Sequence, residues 1–234
     1  MREIAIDRSH QGPFGTANGG YVAGILGDAL DDEPTTARIH KPVPVDTPLH
    51  ILRDDDTAVI RHRDETIASA EIMRGEIPAT WFVPMEEALG ASDPQLDMGM
   101  FAACFVCGQD TPDGLGVKPK ALADGRFAAV WRPWKSRHIE GPVVETTYLR
   151  SALDCPGGFA ALTANQTLAV TGTLTTQVYF NPPSEEPLIV VGEATHAEGR
   201  KLGAVSTIFT ESDEIVATAS ALWIALAPAD QAVA

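Results

Sequence analysis

Three cysteines are the residues whose spacing most directly suggests a chemical site. Cys104 and Cys107 have the C-x-x-C spacing of a metal-binding turn, and Cys155 with His138 could supply two further ligands. A structural zinc ion needs four ligands, however, and a single pair supplies only two. The odd, low cysteine count also argues against a disulfide framework. The sequence therefore favours small, buried, apolar cysteines, with no metal and no other cofactor.

A short basic segment around Trp134 could bind an anionic group. Its charged residues are Arg132, Lys135, Arg137 and His138. The alternative is a solvated loop, which is what most charge runs are. The chain as a whole is acidic, because 32 acidic and 17 basic residues give a net charge of −15. We therefore expect no binding to nucleic acid or to an anionic membrane, since both require a basic face.

The composition is that of a globular protein with a sizeable core. Hydrophobic residues make up 44% of the 234 residues, enough for one large domain or two smaller ones. No stretch approaches the roughly 20 apolar residues that a membrane-spanning helix needs. The first residues, Met1-Arg2-Glu3-Ile4, lack the apolar segment of a signal peptide. These features predict a cytoplasmic protein.

Three blocks of sequence recur in the same order in both halves of the chain. The first is Thr35–Pro42, which reappears 140 residues later (175 − 35) as Thr175–Pro182. The others are Pro48-Leu49 with Pro187-Leu188, and Asp64–Ala70 with Asp213–Ala219. Two unrelated hairpins that share turn residues are the alternative. Three matched blocks favour a duplicated domain that packs as an internal pseudo-dimer.

Hydrophobic periodicity predicts one helix among several antiparallel strands in each half. In the first half we expect a helix at 19–30 and strands at 3–6, 35–41, 49–53, 57–62 and 66–73. In the second half we expect a helix at 144–154 and strands at 115–120, 127–132, 168–180, 188–197, 202–210 and 215–225. The predicted domains are 1–85 and 99–234, joined by a linker at 86–98. Pairing the two units would bury the surface that a single unit leaves exposed.

This order of elements resembles the hotdog acyl-CoA thioesterase superfamily. The segments that carry the resemblance are Asn18-Gly19-Gly20-Tyr21, Cys104–Gly108, Gly114-Leu115, Ala152-Leu153-Asp154 and Thr175–Pro182. The tandem layout is similar to acyl-CoA thioesterase II, and the second half is similar to the phenylacetate-pathway type. The resemblance implies an α+β protein of two tandem hotdog units that hydrolyses acyl-CoA thioesters. It also suggests a homodimer of such chains, because hotdog units often pair.

In that family the helix usually opens with His-Gly-Gly or Asn-Gly-Gly and carries an acid nine residues later. The first half has the opening, Asn18-Gly19-Gly20, but has Gly27 where the acid is expected and Asp28 one position further. The second half has the acid, Asp154, but opens with Glu145-Thr146-Thr147. Each half therefore keeps the element that the other half lacks.

Nine helical residues span about 13.5 Å, so one acyl carbonyl cannot contact both elements of the same helix. The two elements must come from neighbouring helices that run in opposite directions, which predicts one working site and one decayed site per chain. The resemblance then makes the Gly19 and Gly20 amides the oxyanion hole, with Asn18 orienting them or the substrate. Asp154 would activate water or attack the carbonyl itself, and the sequence leaves both open.

Pro156, followed by Gly157 and Gly158, predicts that the helix kinks or stops just after Asp154. This break could aim the Asp154 side chain. The alternative is an ordinary helix end with a solvated Asp154.

Weaker candidates for substrate binding are His10, on the loop before the first helix, and Thr173, which with Thr171 could supply a hydroxyl group. A surface histidine and ordinary strand threonines are the alternatives. A non-catalytic hotdog protein that binds acyl-CoA or lipid is the second functional hypothesis. A hotdog dehydratase is less favoured, because that class pairs an acid with a histidine and neither helix carries one.

Overall fold

The computed structural model describes residues 1–94, 97 and 99–227. The first half contains β1 (Arg2–Ala5), α1 (Gly19–Asp28), β2 (Thr35–Ile39), β3 (Pro48–Asp54), β4 (Thr57–His62) and β5 (Glu65–Ile72). A short helix, α2 (Met85–Gly90), follows. The second half contains β6 (Lys120–Ala121), β7 (Phe127–Trp131), α3 (Thr146–Ala152), α4 (Asp154–Asn165), β8 (Ala169–Val178), β9 (Leu188–Glu198), β10 (Lys201–Thr210) and β11 (Ile215–Ala225).

One antiparallel sheet runs through both halves, in the order β1-β3-β4-β5-β2-β8-β11-β10-β9-β7-β6. The halves join where β2 pairs with β8, with Thr35 opposite Thr176 and Thr36 opposite Thr175. Thr35 and Thr175 occupy the same position in the sequence repeat. This register is the one that a two-fold axis between the two copies requires. The repeat therefore corresponds to an internal pseudo-dimer, with the axis passing between β2 and β8.

The helices α1 and α3 lie side by side and run in opposite directions. A Cβ atom on Gly20 would lie 2.8 Å from the Cα atom of Ser151, and one on Gly24 would lie 2.8 Å from the carbonyl oxygen of Thr147. As the position on α1 advances by four residues, its neighbour on α3 goes back by four. Both glycines thus allow a close approach of the two backbones, which larger residues would prevent.

The predicted strand at 115–120 is wrong over most of its length, because only Lys120 and Ala121 are in β6. The preceding residues are loop, and their amides are used elsewhere. The N–H of Leu115 donates to the carbonyl of Phe105 at 2.8 Å, and that of Val117 donates to Val106 at 2.9 Å. This segment therefore pairs with the cysteine-containing loop rather than with the sheet.

The predicted linker is partly structured. Its first residues lie in α2, where Ala88 is buried in a small apolar cluster with side chains of β7, β9 and β10. Linker residues 95, 96 and 98, and residues 228–234 of the predicted second domain, lie outside the described residues. The domain boundaries and the homodimer stay predictions.

The chain does not leave the helical conformation at Pro156, contrary to the prediction that it could stop there. The break falls at Leu153, between α3 and α4, and α4 continues to Asn165. Pro156 lies in the first turn of α4, where its missing N–H would have no helical acceptor. Within the described ranges no helix is both long enough and apolar enough to cross a bilayer.

Candidate active site

Asp154 is the carboxylate on which the site is built. It begins α4, and only 2% of its surface is exposed. Its Oδ2 accepts a hydrogen bond from the backbone N–H of Gly20 at 3.1 Å, and its Oδ1 accepts one from the Thr171 hydroxyl at 2.9 Å. The acid of the second half therefore lies directly against the first turn of α1, as the sequence predicts.

The environment of Asp154 disfavours its charged form. The pKa of this carboxyl is raised to about 7, mainly by burial and also by the neighbouring Cys104, whereas the hydrogen bonds from Thr171 and Gly20 act in the opposite direction. Desolvation is thus the dominant effect, and the two hydrogen bonds fix the orientation of the carboxyl group.

The side chain of Asn18 holds the start of α1. Its Oδ1 accepts from the N–H of Tyr21 at 2.9 Å, which is the usual role of asparagine as an N-cap. Its backbone N–H donates to the carbonyl of His10 at 2.9 Å. Asn18 was predicted to orient either the helix amides or the substrate, and this geometry matches the first of these roles.

The two glycine amides at this helix start are not equivalent. The N–H of Gly20 is already bonded to Asp154. The N–H of Gly19 has no acceptor among the residues that the structure describes, and Gly19 lines a cavity. A Cβ atom on Gly19 would lie 2.8 Å from the Cβ and Oγ1 atoms of Thr171. The predicted oxyanion hole is therefore reduced to one available amide, that of Gly19.

A cavity of about 340 Å³ opens beside these groups, between the two halves of the chain. Asn18, Gly19, Asp154 and Thr171 all line it. The remaining wall is mostly apolar and includes Ile39, Val43, Phe101, Val170, Trp223 and Ile224. Concave apolar space with a few convergent polar groups is typical of a small-molecule site.

A β-bulge decides which threonine of β8 reaches Asp154. Leu222 pairs with Thr173, but the next residue, Trp223, pairs with Thr171, so the register shifts at Gly172. The shift places Thr171 on the face of Leu174, which is buried in the core, and Thr173 on the opposite face. Of the two candidate threonines, Thr171 and not Thr173 is therefore the one that reaches Asp154, because simple alternation along a strand does not hold across a bulge.

His10 does not line this cavity. Its ring stacks on Tyr21 at 4.0 Å and contacts Phe105 and His138 at 4.7 and 4.6 Å. Burial lowers the pKa of His10 to about 4, and the charge of His138 adds to this effect. The surface-histidine alternative is also wrong, since His10 is buried. His138 belongs to this aromatic cluster and not to the cysteines.

The basic segment lies elsewhere too. Arg132, Lys135 and Arg137 are not among the residues that line the cavity. Arg137 forms an ion pair with Asp113 at 2.9 Å. The cavity wall includes His40 and Lys41, and Lys41 forms an ion pair with Glu65.

Sequence reasoning missed the proximity of two cysteines to the site. Cys104 and Cys155 both line the cavity, and the side-chain amide of Asn18 donates to the sulfur of Cys104 at 3.6 Å. Cys155 follows Asp154 directly, which is the one signal that the sequence offered. Cys104 and Cys155 are 51 positions apart in the sequence, so local spacing does not predict that their sulfur atoms meet.

Solved structures of known proteins share this architecture across the full chain, whereas no protein-family model and no curated protein matches the sequence. A protein provisionally named a thioesterase, from Novosphingobium aromaticivorans, superposes with a TM-score of 0.67 at 11% identity, covering 96% of this chain and 95% of that one. The acyl-CoA thioesterase II TesB2 from Mycobacterium marinum gives 0.57 at 12% identity, with coverages of 97% and 93%.

A third structure, from Alicyclobacillus acidocaldarius, carries the name of the fold itself. This protein of unknown function with a hot dog fold gives a TM-score of 0.56 at 13% identity, and the match covers 97% of this chain and 93% of that one. The predicted α+β class is confirmed by these matches and by the continuous antiparallel sheet. The chain is a double hotdog, in which two hotdog units share one sheet.

Proposed function

We propose that this protein hydrolyses acyl-CoA thioesters at a single site between its two halves. The observation that carries the proposal is the buried carboxyl group of Asp154, which is hydrogen-bonded to the first turn of α1 and lines an apolar cavity. The N–H of Gly19, which lines the same cavity, has no acceptor within the described part of the chain.

In the proposed reaction the acyl group enters the cavity with its carbonyl oxygen toward the N–H of Gly19. Negative charge develops on that oxygen when the thioester is attacked, and a helix N-terminus stabilises such charge. Asp154 takes a proton from water as the oxygen adds to the carbonyl carbon. The C–S bond then breaks, Asp154 returns the proton to the sulfur, and coenzyme A leaves as the thiol. Direct attack by Asp154, which would form an anhydride that water then cleaves, is the other route.

Thr171 and Gly20 act in this scheme by positioning. Their hydrogen bonds occupy one lone pair on each carboxyl oxygen of Asp154. A carboxylate accepts about four hydrogen bonds, so the attacking water still has a site. The apolar wall suits the acyl chain, and the name of the M. marinum structure supports acyl-CoA as the substrate class.

The test is an assay of hydrolysis with a panel of acyl-CoAs, in which the released free thiol of coenzyme A is measured. Asp154→Asn is expected to lower kcat/KM by about 10²–10⁴-fold, the usual contribution of a general base. The matched control is Asp28→Asn. It makes the same change to an exposed acid at the far end of α1, which pairs with Arg2 of β1. Hydrolysis that survives Asp154→Asn at the wild-type rate contradicts the mechanism.

Two further measurements separate the alternatives. Saturable binding of acyl-CoA without turnover by the wild-type protein favours the non-catalytic hypothesis. Single-turnover hydrolysis in ¹⁸O-labelled water distinguishes the two routes. Direct attack, with water cleaving the anhydride at the Asp154 carbonyl, puts ¹⁸O in the Asp154 carboxyl group, whereas water activated by Asp154 puts ¹⁸O in the product acid.

A further inference from the structure

The three cysteine side chains converge beside the cavity, whose wall includes Cys104 and Cys155. Cys104 and Cys107 lie on the loop before β6, and Cys155 lies in the first turn of α4. Their sulfur atoms are all within 4.8 Å of one another, and those of Cys104 and Cys155 are 4.0 Å apart. The fold therefore adds Cys155 to the C-x-x-C pair, whereas His138, the other further ligand that the sequence suggested, lies with His10 and Phe105.

All three sulfurs are buried, and Cys104 is only 1% exposed. The sulfur of Cys104 accepts a hydrogen bond from the side-chain amide of Asn18 at 3.6 Å. Buried thiolates require a compensating cation. Lys41, on the wall of the same cavity, is already paired with Glu65.

We propose that Cys104, Cys107 and Cys155 together bind one Zn²⁺ ion at the wall of the acyl cavity. Zn–S bonds of about 2.3 Å in a tetrahedral site separate two sulfurs by about 3.8 Å, close to the 4.0 Å between Cys104 and Cys155. Thiolate ligands select soft or borderline cations such as Zn²⁺ over Mg²⁺ or Ca²⁺.

Three protein ligands leave one coordination position for another group. Zinc sites of this type hold a water molecule or substrate at the fourth position. Cys104 and Cys155 line the cavity, so the fourth position would face the space beside Asp154. Metal binding itself needs no turnover, and it can be measured independently of the proposed hydrolysis.

The experiment uses the full chain, reduced and freed of metal with a chelator, and titrates it with CoCl₂ as a spectroscopic probe for zinc. We expect one equivalent to bind, with the visible bands of tetrahedral Co²⁺ and sulfur-to-cobalt charge-transfer absorption in the near ultraviolet. Added Zn²⁺ should displace the cobalt. Folded, reduced wild-type protein that gives no charge-transfer absorption overturns the proposal.

Cys107→Ser should weaken Co²⁺ binding at least tenfold, and His196→Gln, at an exposed histidine, should leave it unchanged. Cobalt binding that depends on His196 and not on Cys107 contradicts the site. If Cys107→Ser does not fold, the wild-type charge-transfer intensity decides, because it scales with the number of bound thiolates.

The Asp154→Asn variant distinguishes this proposal from the proposed function. We expect it to bind cobalt with the same stoichiometry while it loses hydrolysis. A wild-type protein that hydrolyses acyl-CoA but binds no cobalt would retain the function and lose the metal site. A protein that binds cobalt through its thiolates but hydrolyses no acyl-CoA would have the reverse outcome.

Discussion

The two ends of the α1–α3 helix pair are related by the pseudo-two-fold axis, yet they have opposite contents. Asn18 and Glu145 occupy the equivalent N-cap positions, so Gly27 of α1 is the counterpart of Asp154. At one end the acid meets the N–H of Gly20 beside a cavity. At the other end a glycine stands in place of the acid, and the guanidinium group of Arg150 fills the space.

The filled end depends on that glycine. A Cβ atom on Gly27 would lie 1.4 Å from the Nη1 atom of Arg150. Arg150 is fully buried, and its guanidinium donates to the side chain and backbone of Asp32 and to the carbonyl of Glu33, at 2.8 to 3.1 Å. At this end the place of the acid is therefore taken by a buried guanidinium group, which pairs with a half-exposed carboxylate.

Among substitutions at the two ends of the helix pair, Gly27→Ala is expected to have the largest effect, which is on the free energy of unfolding. The added methyl group should push the guanidinium of Arg150 away from Asp32 and lower the free energy of unfolding by about 3 kcal/mol, since a buried guanidinium without its acceptors is costly. Chemical denaturation measures this change. In an Arg150→Ala background the same substitution should cost less than about 1 kcal/mol. Equal costs in both backgrounds would show that Arg150 is not what Gly27 accommodates.

A smaller effect is expected at the open end from Thr171→Val, which removes the hydrogen bond to Asp154 with little change of shape. A hydrogen bond to a charged group contributes about 1.5–3 kcal/mol, so kcat/KM should fall about 10- to 100-fold, mainly in kcat. Thr171→Ser should restore most of the activity.

Thr173→Val is the matched control, because Thr173 lies on the opposite face of β8 beyond the bulge. An equal loss of activity in both valine variants would contradict the assignment of Thr171 as the residue that positions Asp154.

These two threonines also show how far the sequence could predict the site. The resemblance to the hotdog family pointed to the helix opening at Asn18 and the acid at Asp154, and helix geometry then required two antiparallel helices to meet. The structure brings the first turn of α1 to Asp154. The bulge at Gly172 is not encoded in any alternating pattern, so the sequence could not distinguish Thr171 from Thr173. The position of Cys104 depends on tertiary packing of a loop and was equally unreadable.

The smallest expected effect concerns His10. Its ring packs on Tyr21 of α1, so it lies on the α1 side of the helix pair. Burial lowers the pKa of His10 to about 4, below the usual value of 6.5. Between these pH values the unfolded chain binds a proton that the folded protein does not bind, so this residue makes the free energy of unfolding fall as the pH decreases.

His10→Phe keeps an aromatic ring on Tyr21 but cannot titrate. It should reduce the loss of stability between pH 6.5 and 4 by about 1 kcal/mol after allowance for solvent screening. Parallel pH profiles for His10→Phe and the wild type would exclude His10 as the titrating group.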